Sequence, residues 1–451
     1  MGDEDSVKKF LKDRKVLIVD SSSTVRSAIA HTIAGYGIPA SQIATASDYM
    51  EAIETAKNGP RVGILITDYI IGNRSGVELA SETFANEVNI FEYATFILTS
   101  NGHQSNVAEA AEGLIDAYML KPFSADSLKK YLILTIKKKL SPSEYLVALS
   151  NIRQMLTQKN YDTAIQTIQV TLEFSRPPQP VQLYVYEGQA YEGVCDLPKA
   201  LVSYNTALTC KKDNYFALIG IYSVYVKSLN KGKAYETIAY LSGFFPLSPF
   251  RLCDVIRLAI ETGNYDHVEK YYAMFLEIDE RRDELVKTMA AALAVGGIHN
   301  FNQTRMDRGI DFFKKAIVTS KRDPKIIFKA FLYSLAKDQV DAAKDFYGKF
   351  EAEHQAGVEY LSSQFLLNDI ILKTPADIEK NMSLGLKLIE NKKAVIQIYR
   401  VLMKRCTEFK KEKFFSQVQE QAKKVWKQDQ LSSPLYEITE ASSEATIFDK
   451  P

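Results

Sequence analysis

Four short apolar runs, each ending on a polar side chain, constrain the first third of this chain more than any other feature. Val16-Leu17-Ile18-Val19 stops at Asp20, and the run from Val62 to Thr67 stops at Asp68. Thr95-Phe96-Ile97-Leu98 stops at Thr99, and Ala117-Tyr118-Met119-Leu120 stops at Lys121-Pro122-Phe123. Near-continuous apolar runs of this length, alternating with helical patterns, read as strands of a parallel sheet covered on both faces. Strands are expected near 15–19, 42–46, 62–67, 94–98 and 115–119, and helices near 24–35, 48–57, 77–87, 104–113 and 125–139. Ser23 or Thr24 is the expected cap of the first helix, and Ser124 opens the last. Open parallel sheets bind ligands at the carboxyl ends of their strands. Asp20, Asp68, Thr99 and Lys121 are therefore expected to converge on one site.

In order and spacing the runs resemble the receiver domain of bacterial response regulators, over about residues 12–139. The resemblance implies an α/β doubly wound, five-stranded parallel sheet of flavodoxin-like type. It places Asp68 as the acceptor of a phosphoryl group from a histidine kinase, Thr99 as the switch hydroxyl and Lys121 as the partnering lysine. Pro122 falls at the usual cis-proline position, Tyr118 at the aromatic that changes rotamer on activation, and Gly76 at the glycine after the acceptor. It also implies a Mg²⁺ site made by Asp20 and Asp68 with the backbone carbonyl of Ile70, and allows a homodimer through the receiver. The chemistry suits these residue types, because phosphoryl transfer needs positioning and cancellation of charge on the equatorial oxygens. Mg²⁺ takes oxygen ligands, one or two of them carboxylates.

Three positions depart from the family pattern. The family carries two adjacent acids after the first strand, and this chain has Asp20-Ser21, which weakens the expected Mg²⁺ site. Ile71-Gly72 stands where Met-Pro is common. Ile70, two residues after Asp68, is apolar and poorly suited to orient an attacking water, so any phosphate is expected to be lost slowly.

Beyond Ser141-Pro142-Ser143 the strand signal disappears and a longer period takes over. Ala200, Ala234 and Val268 are 34 residues apart, as are Gly309 and Ala343. A large residue follows four later each time (Tyr204, Ile238, Tyr272, Phe313, Tyr347), and Ala207, Leu241, Phe275, Ala316 and Phe350 follow three after that. Ala164, Ile168 and Thr171 form an earlier copy. A 34-residue helix–turn–helix period resembles the tetratricopeptide repeat. Gly188 and Tyr191 match its first helix, and Asn160-Tyr161 and Gly263-Asn264-Tyr265 match its turns. Pro249 and Pro324 are expected to stop second helices. The step from Val268 to Gly309 is 41, and Gly296 to Asn302 is the expected seven-residue insertion loop. The organisation expected is an N-terminal arm (1–11), a receiver (12–140), a linker (141–143), tetratricopeptide-like repeats (144–352), capping helices (353–427) and a flexible acidic tail (428–451).

A concave groove lined by first helices is the binding surface of such solenoids. The register nominates Leu149, Arg153, Val185, Gln189, Ile219, Ser223, Cys253 and Arg257. This set lacks a Lys/Asn carboxylate clamp, so a helix or extended peptide of a partner protein fits better. With 56 basic and 55 acidic residues, net charge +1, the chain has no global pull towards nucleic acid. Four scattered cysteines, five scattered histidines and a polar N-terminus point to a cytoplasmic protein without a metal-type cysteine pair or a membrane span. No nucleophile–base pair or glycine-rich phosphate loop marks an enzyme in the helical part. The combined expectation is a response regulator that signals by protein binding, with a phosphorylation-independent pseudo-receiver scaffold as the alternative.

Overall fold

The computed structural model describes residues 2–438 apart from 73, 86, 88, 101–114, 176–179, 246, 248, 279–280 and 392–393. The expected helix at 104–113 and the end of the acidic tail, 439–451, lie outside the described residues. The chain divides into two compact units: Met1–Ser248 with Ile278–Glu280, and Pro249–Glu277 with Arg281–Pro451.

The first unit begins with a helix where an arm was expected. Helix α1 (Asp3–Phe10) carries Asp3, Glu4 and Asp5 in its first turn and Lys8 and Lys9 in its last, which suits the helix dipole. Its Val7 and Phe10, with Leu11, are buried in the core below the sheet, so the arm is an integral part of the domain. Strands β1 (Arg14–Val19), β2 (Ile43–Ala46), β3 (Arg61–Asp68), β6 (Ala94–Thr99) and β7 (Ala117–Leu120) form one sheet in the order β2-β1-β3-β6-β7. All its pairings are parallel. Between β3 and β6, a short antiparallel hairpin of β4 (Ile70–Ile71) and β5 (Arg74–Ser75) follows the end of β3. Side chains alternate between faces along a strand. Val16, Ile18, Ile64, Ile66, Phe96 and Leu98 enter the core with α1, α2 (Ser23–Ala34) and α5 (Ala125–Leu140). Leu17, Val19 and Leu65 enter the opposite core with α3 (Tyr49–Lys57) and α4 (Gly76–Thr83). Ser22 rather than Ser23 or Thr24 caps α2, and Ser124 caps α5 by accepting from the Ser127 amide.

Three helical hairpins complete the unit: α6 (Glu144–Thr157) with α7 (Tyr161–Ser175), α8 (Val181–Gly193) with α9 (Leu197–Cys210), and α10 (Tyr215–Lys227) with α11 (Lys231–Leu241). Their close approach depends on glycine. A Cβ on Gly188 or Gly220 would lie 2.5 or 2.2 Å from the Tyr204 ring, which is wedged between helices α8 and α10.

The second unit continues the pattern with α12 (Pro249–Glu261) and α13 (Val268–Leu276), α14 (Asp283–Asn302) and α15 (Met306–Thr319), and α16 (Pro324–Ala336) and α17 (Val340–Tyr347). Two more hairpins follow, α18 (Val358–Ile371) with α19 (Pro375–Glu390) and α20 (Ile396–Glu408) with α21 (Glu412–Val425). These four helices occupy the region where capping helices were expected. Both units carry successive helical hairpins, and the fold is a receiver followed by an all-α solenoid of tetratricopeptide type.

Two expectations are corrected here. Pro249 and Pro324 open α12 and α16 instead of ending the helices before them, the first-turn position at which proline loses nothing. The segment Gly296 to Asn302 is not a loop but the last two turns of the 20-residue α14. Seven residues span nearly two turns at 3.6 per turn, so the insertion lengthens the helix without rotating its face. Gly296 and Gly297 are tolerated there because Cβ atoms would lie 2.5 Å from Phe312 and 2.9 Å from Phe313.

Candidate functional site

Four strand ends build the site. Asp20 follows β1, Asp68 ends β3, Thr99 ends β6, and Lys121 follows β7, all at the carboxyl edge of the sheet. The pairing of Thr99 with Leu120 and the Lys121 amide bond to the Thr99 carbonyl (2.7 Å) fix the lysine beside the two acids. Lys121 Nζ donates to Asp20 Oδ2 at 2.6 Å and to Asp68 Oδ2 at 2.7 Å. Each carboxylate uses its second oxygen locally: Asp20 Oδ1 accepts from the Ser22 amide and Asp68 Oδ1 from the Tyr69 amide, both at 2.8 Å. Burial alone would lower the Lys121 pKa, but the carboxylates of Asp20 and Asp68 outweigh it and hold the ammonium above its ordinary value.

Exposure separates the roles. Asp20 is 1% exposed and Thr99 is fully buried, whereas the Asp68 side chain keeps 22% of its surface. Asp68 is thus the more accessible of the two acids. Two carboxylates against one ammonium leave the cluster one negative charge in excess, with oxygen ligands, so the donor set fits a hard divalent cation. Ser21, in the position of the missing second acid, is exposed, and Ile70 in the β4–β5 hairpin is 50% exposed. Gly76 is a steric necessity, since a Cβ there would sit 2.1 Å from the Asp68 carbonyl oxygen. The Lys121–Pro122 peptide bond is cis. Tyr118 lies half-buried in β7, two strands over from Asp68.

One contributor has no counterpart in the sequence reading. Arg26, one turn into α2, donates to the carbonyls of Asp20 (2.6 Å) and Ser21 (3.1 Å) and pins the loop that presents Asp20. Its acceptors are backbone atoms, which no residue pattern marks.

The solenoid candidates fare differently. Arg153 donates to the Tyr93 hydroxyl at 3.3 Å, so it faces the receiver sheet rather than a groove. Ser223 is tied to Glu192 between α8 and α10. Val185 and Cys253 are buried packing residues, while Leu149 and Ile219 are half-buried. Arg257 is paired with Glu284 at 2.6 Å. Only Gln189 of the four polar candidates is exposed and makes no bond among the described residues.

Known proteins match the same region. The family model "Response regulator receiver domain" matches residues 16–133. The chemotaxis protein CheY homolog of Campylobacter jejuni is 30% identical over 118 residues, covering 26% of this chain and 88% of that protein. This chain belongs to the response regulators. Chemotaxis protein CheY-3 of Vibrio cholerae is 28% identical over 121 residues, 27% of this response regulator and 90% of its own length. Among solved structures, a response regulator receiver domain from Clostridium thermocellum aligns at 25% identity, TM-score 0.24, over 28% of this chain and 96% of its own. A tetratricopeptide repeat protein from Parabacteroides merdae aligns at 17% identity, TM-score 0.30, over 57% of this chain and 97% of its own. No described helix is long and apolar enough to cross a membrane.

Proposed function

We propose that this response regulator accepts a phosphoryl group on Asp68 from a histidine kinase and signals through protein binding by its solenoid, without an enzymatic output of its own. The observation that carries the reading is the bridge of Lys121 between a buried Asp20 and a more accessible Asp68. An oxygen of the Asp68 carboxylate attacks phosphorus, and the bond from phosphorus to the donor breaks as the donor leaves with its electron pair. The new acyl phosphate then carries charge next to Lys121 and Thr99. Lys121 leaves its Asp68 contact for a phosphoryl oxygen, and the Thr99 hydroxyl donates to another. The space that Thr99 vacates is filled when Tyr118 turns inwards. Asp20, Asp68 and the Ile70 carbonyl would hold Mg²⁺, which supplies charge neutralisation on the transferring group. The resulting change biases a two-state equilibrium only as far as phosphate favours one state.

Intact mass after incubation with acetyl phosphate and Mg²⁺, with Asp68→Asn as control, tests this. The expected result is one phosphoryl adduct on the wild type alone. The alternative, a pseudo-receiver that binds partners without phosphate, is favoured by the exposed Ser21 in place of an acid. No adduct at high Mg²⁺, with partner binding intact in Asp68→Asn, establishes that alternative instead.

A further inference from the structure

The expected flexible tail is not free along its first part. Residues 428–438 open with helix α22 (Gln428–Ser432) and run on as a strap over the last repeats of the second unit. Arg400, on α20 and 3% exposed, holds it. The guanidinium donates to the Gln430 carbonyl through Nε (3.0 Å) and Nη2 (2.5 Å), and through Nη1 to the carbonyls of Pro434 (2.8 Å) and Glu437 (2.6 Å). Gln397, 2% exposed, adds a bond from Nε2 to the Glu437 carbonyl at 3.2 Å. Side chains add two anchors: Leu431 is buried, and the Tyr436 hydroxyl donates to Asp369 at 3.3 Å. The strap is thus read mainly through its main chain, as extended peptides are read by the surfaces that receive them.

Arg400 makes no ion pair among the described residues; its bonds all end on neutral carbonyls. Buried charges are ordinarily paired, because desolvation is costly. That cost pushes the Arg400 pKa down, and the nearby Glu437 offsets it only in part. Beside the guanidinium lies a cavity of about 430 Å³, walled by Arg400, Lys404 and Phe415 on the helices and by Leu431, Ser433 and Leu435 on the strap. Among the described residues no acidic side chain lines it. Asp429 and Glu437 of the strap are charged, but neither reaches the cavity wall.

We propose that the strap is the intramolecular occupant of a peptide groove, and that the groove's ligand from outside is an extended acidic segment of a partner protein. Its carbonyls replace those of residues 430, 434 and 437, and its carboxylate enters the cavity beside Arg400. The charge matters for competition. The strap is tethered only two residues beyond α21, which gives it an effective concentration of order millimolar. A neutral peptide cannot displace it on contacts alone. The Nη2 hydrogen that the carbonyls leave over forms a charge-assisted bond with a carboxylate, stronger than a bond to a carbonyl. This deepens the proposed protein-binding output, but the groove requires nothing of Asp68.

The test uses a fluorescein-labelled peptide with the sequence of residues 428–438, unchanged or carrying Ser433→Glu. Each is titrated into the full chain and into a chain ending at Lys427. The shortened chain is expected to bind both peptides, the acidic one about tenfold more tightly. The full chain is expected to bind the acidic peptide only, and Arg400→Gln to remove the acidic preference. Helical circular dichroism checks folding. If the shortened chain unfolds, the full chain with Leu431→Ala and Tyr436→Ala takes its place, its strap loosened but present. A folded chain that binds neither peptide, or both equally, overturns the proposal. Unfolding of both altered chains also overturns it, because the strap is then part of the fold. No arm contains Mg²⁺ or a phosphoryl donor, so failure here leaves the Asp68 reading untouched.

Discussion

At the scale of single residues, Ser21 is the position where charge decides the chemistry. It is exposed beside Asp20, and a carboxylate there would add a third negative group to a cluster now one charge in excess. Affinity of hard cations rises with ligand charge, so Ser21→Asp is expected to tighten Mg²⁺ about tenfold by isothermal titration; an unchanged affinity would show that position 21 is not a ligand. Lys121 sets a pH dependence whose sign follows from its raised pKa. Its ion pairs stabilise the fold fully below the unfolded lysine value of 10.5 and are lost as pH rises through the higher folded value. Denaturation midpoints of the receiver are therefore expected to gain nothing from Lys121→Met between neutral pH and about 10, and to converge on the variant only above that. Asp20, Asp68, Thr99 and Lys121 were legible in the sequence because each ends an apolar run, and sheet topology brings run ends together. Arg26 and Arg400 were not, because their partners are carbonyls. Every residue has a carbonyl, so nothing in a side-chain pattern distinguishes Gln430, Pro434 or Glu437 as acceptors.

At the scale of elements, Gly296 sets helix propensity against packing. Alanine is favoured over glycine in a helix interior by about 1 kcal/mol, which alone would stabilise α14. The added Cβ, however, would lie 2.5 Å from Phe312, a fully buried ring with nowhere to move. Overpacking of that kind costs about 1–3 kcal/mol, and here the obstacle is a rigid aromatic, so packing is expected to win. Gly296→Ala should lower the urea midpoint of the second unit, followed by the fluorescence of Trp426, the single tryptophan. A raised midpoint would mean that Phe312 shifts freely and that α14 was limited by propensity. The same contest explains why the glycine pair read as a loop. Local preference disfavours helix at Gly296-Gly297, and only the opposing rings, ten or more positions away, reverse it. The helix α1 escaped notice for the opposite reason. Its acidic start and basic end are clear dipole signals, but Val7, Phe10 and Leu11 are too few to show a period within eight residues. The βα alternation and the 34-residue spacing survived because they repeat, so that errors at one boundary do not propagate.

At the scale of the whole molecule, a receiver and a solenoid in one chain form a switch only if the two binding events share free energy. The observation available for each is local: an acid cluster bridged by Lys121 at one end of the sequence, and a strap bonded to Arg400 at the other. Thermodynamic linkage makes the connection measurable without knowing its route. If a phosphoryl analogue at Asp68 changes peptide affinity by some factor, peptide must change analogue affinity by the same factor, typically about 5–150-fold for coupled sites. Beryllofluoride with Mg²⁺ suits this test because it binds reversibly, whereas a phosphorylation rate need not obey the reciprocity. Trp426 sits two residues before the strap and offers a built-in signal for its release. The expected outcome is that saturating beryllofluoride shifts the acidic-peptide titration read by Trp426, and that saturating peptide shifts the beryllofluoride titration equally. Equal shifts establish that phosphate state governs the groove. Absence of any shift, with both ligands bound, makes the groove a constitutive binding surface and returns the receiver's output to the solenoid helices of its own unit, where Arg153 already joins α6 to the sheet at Tyr93.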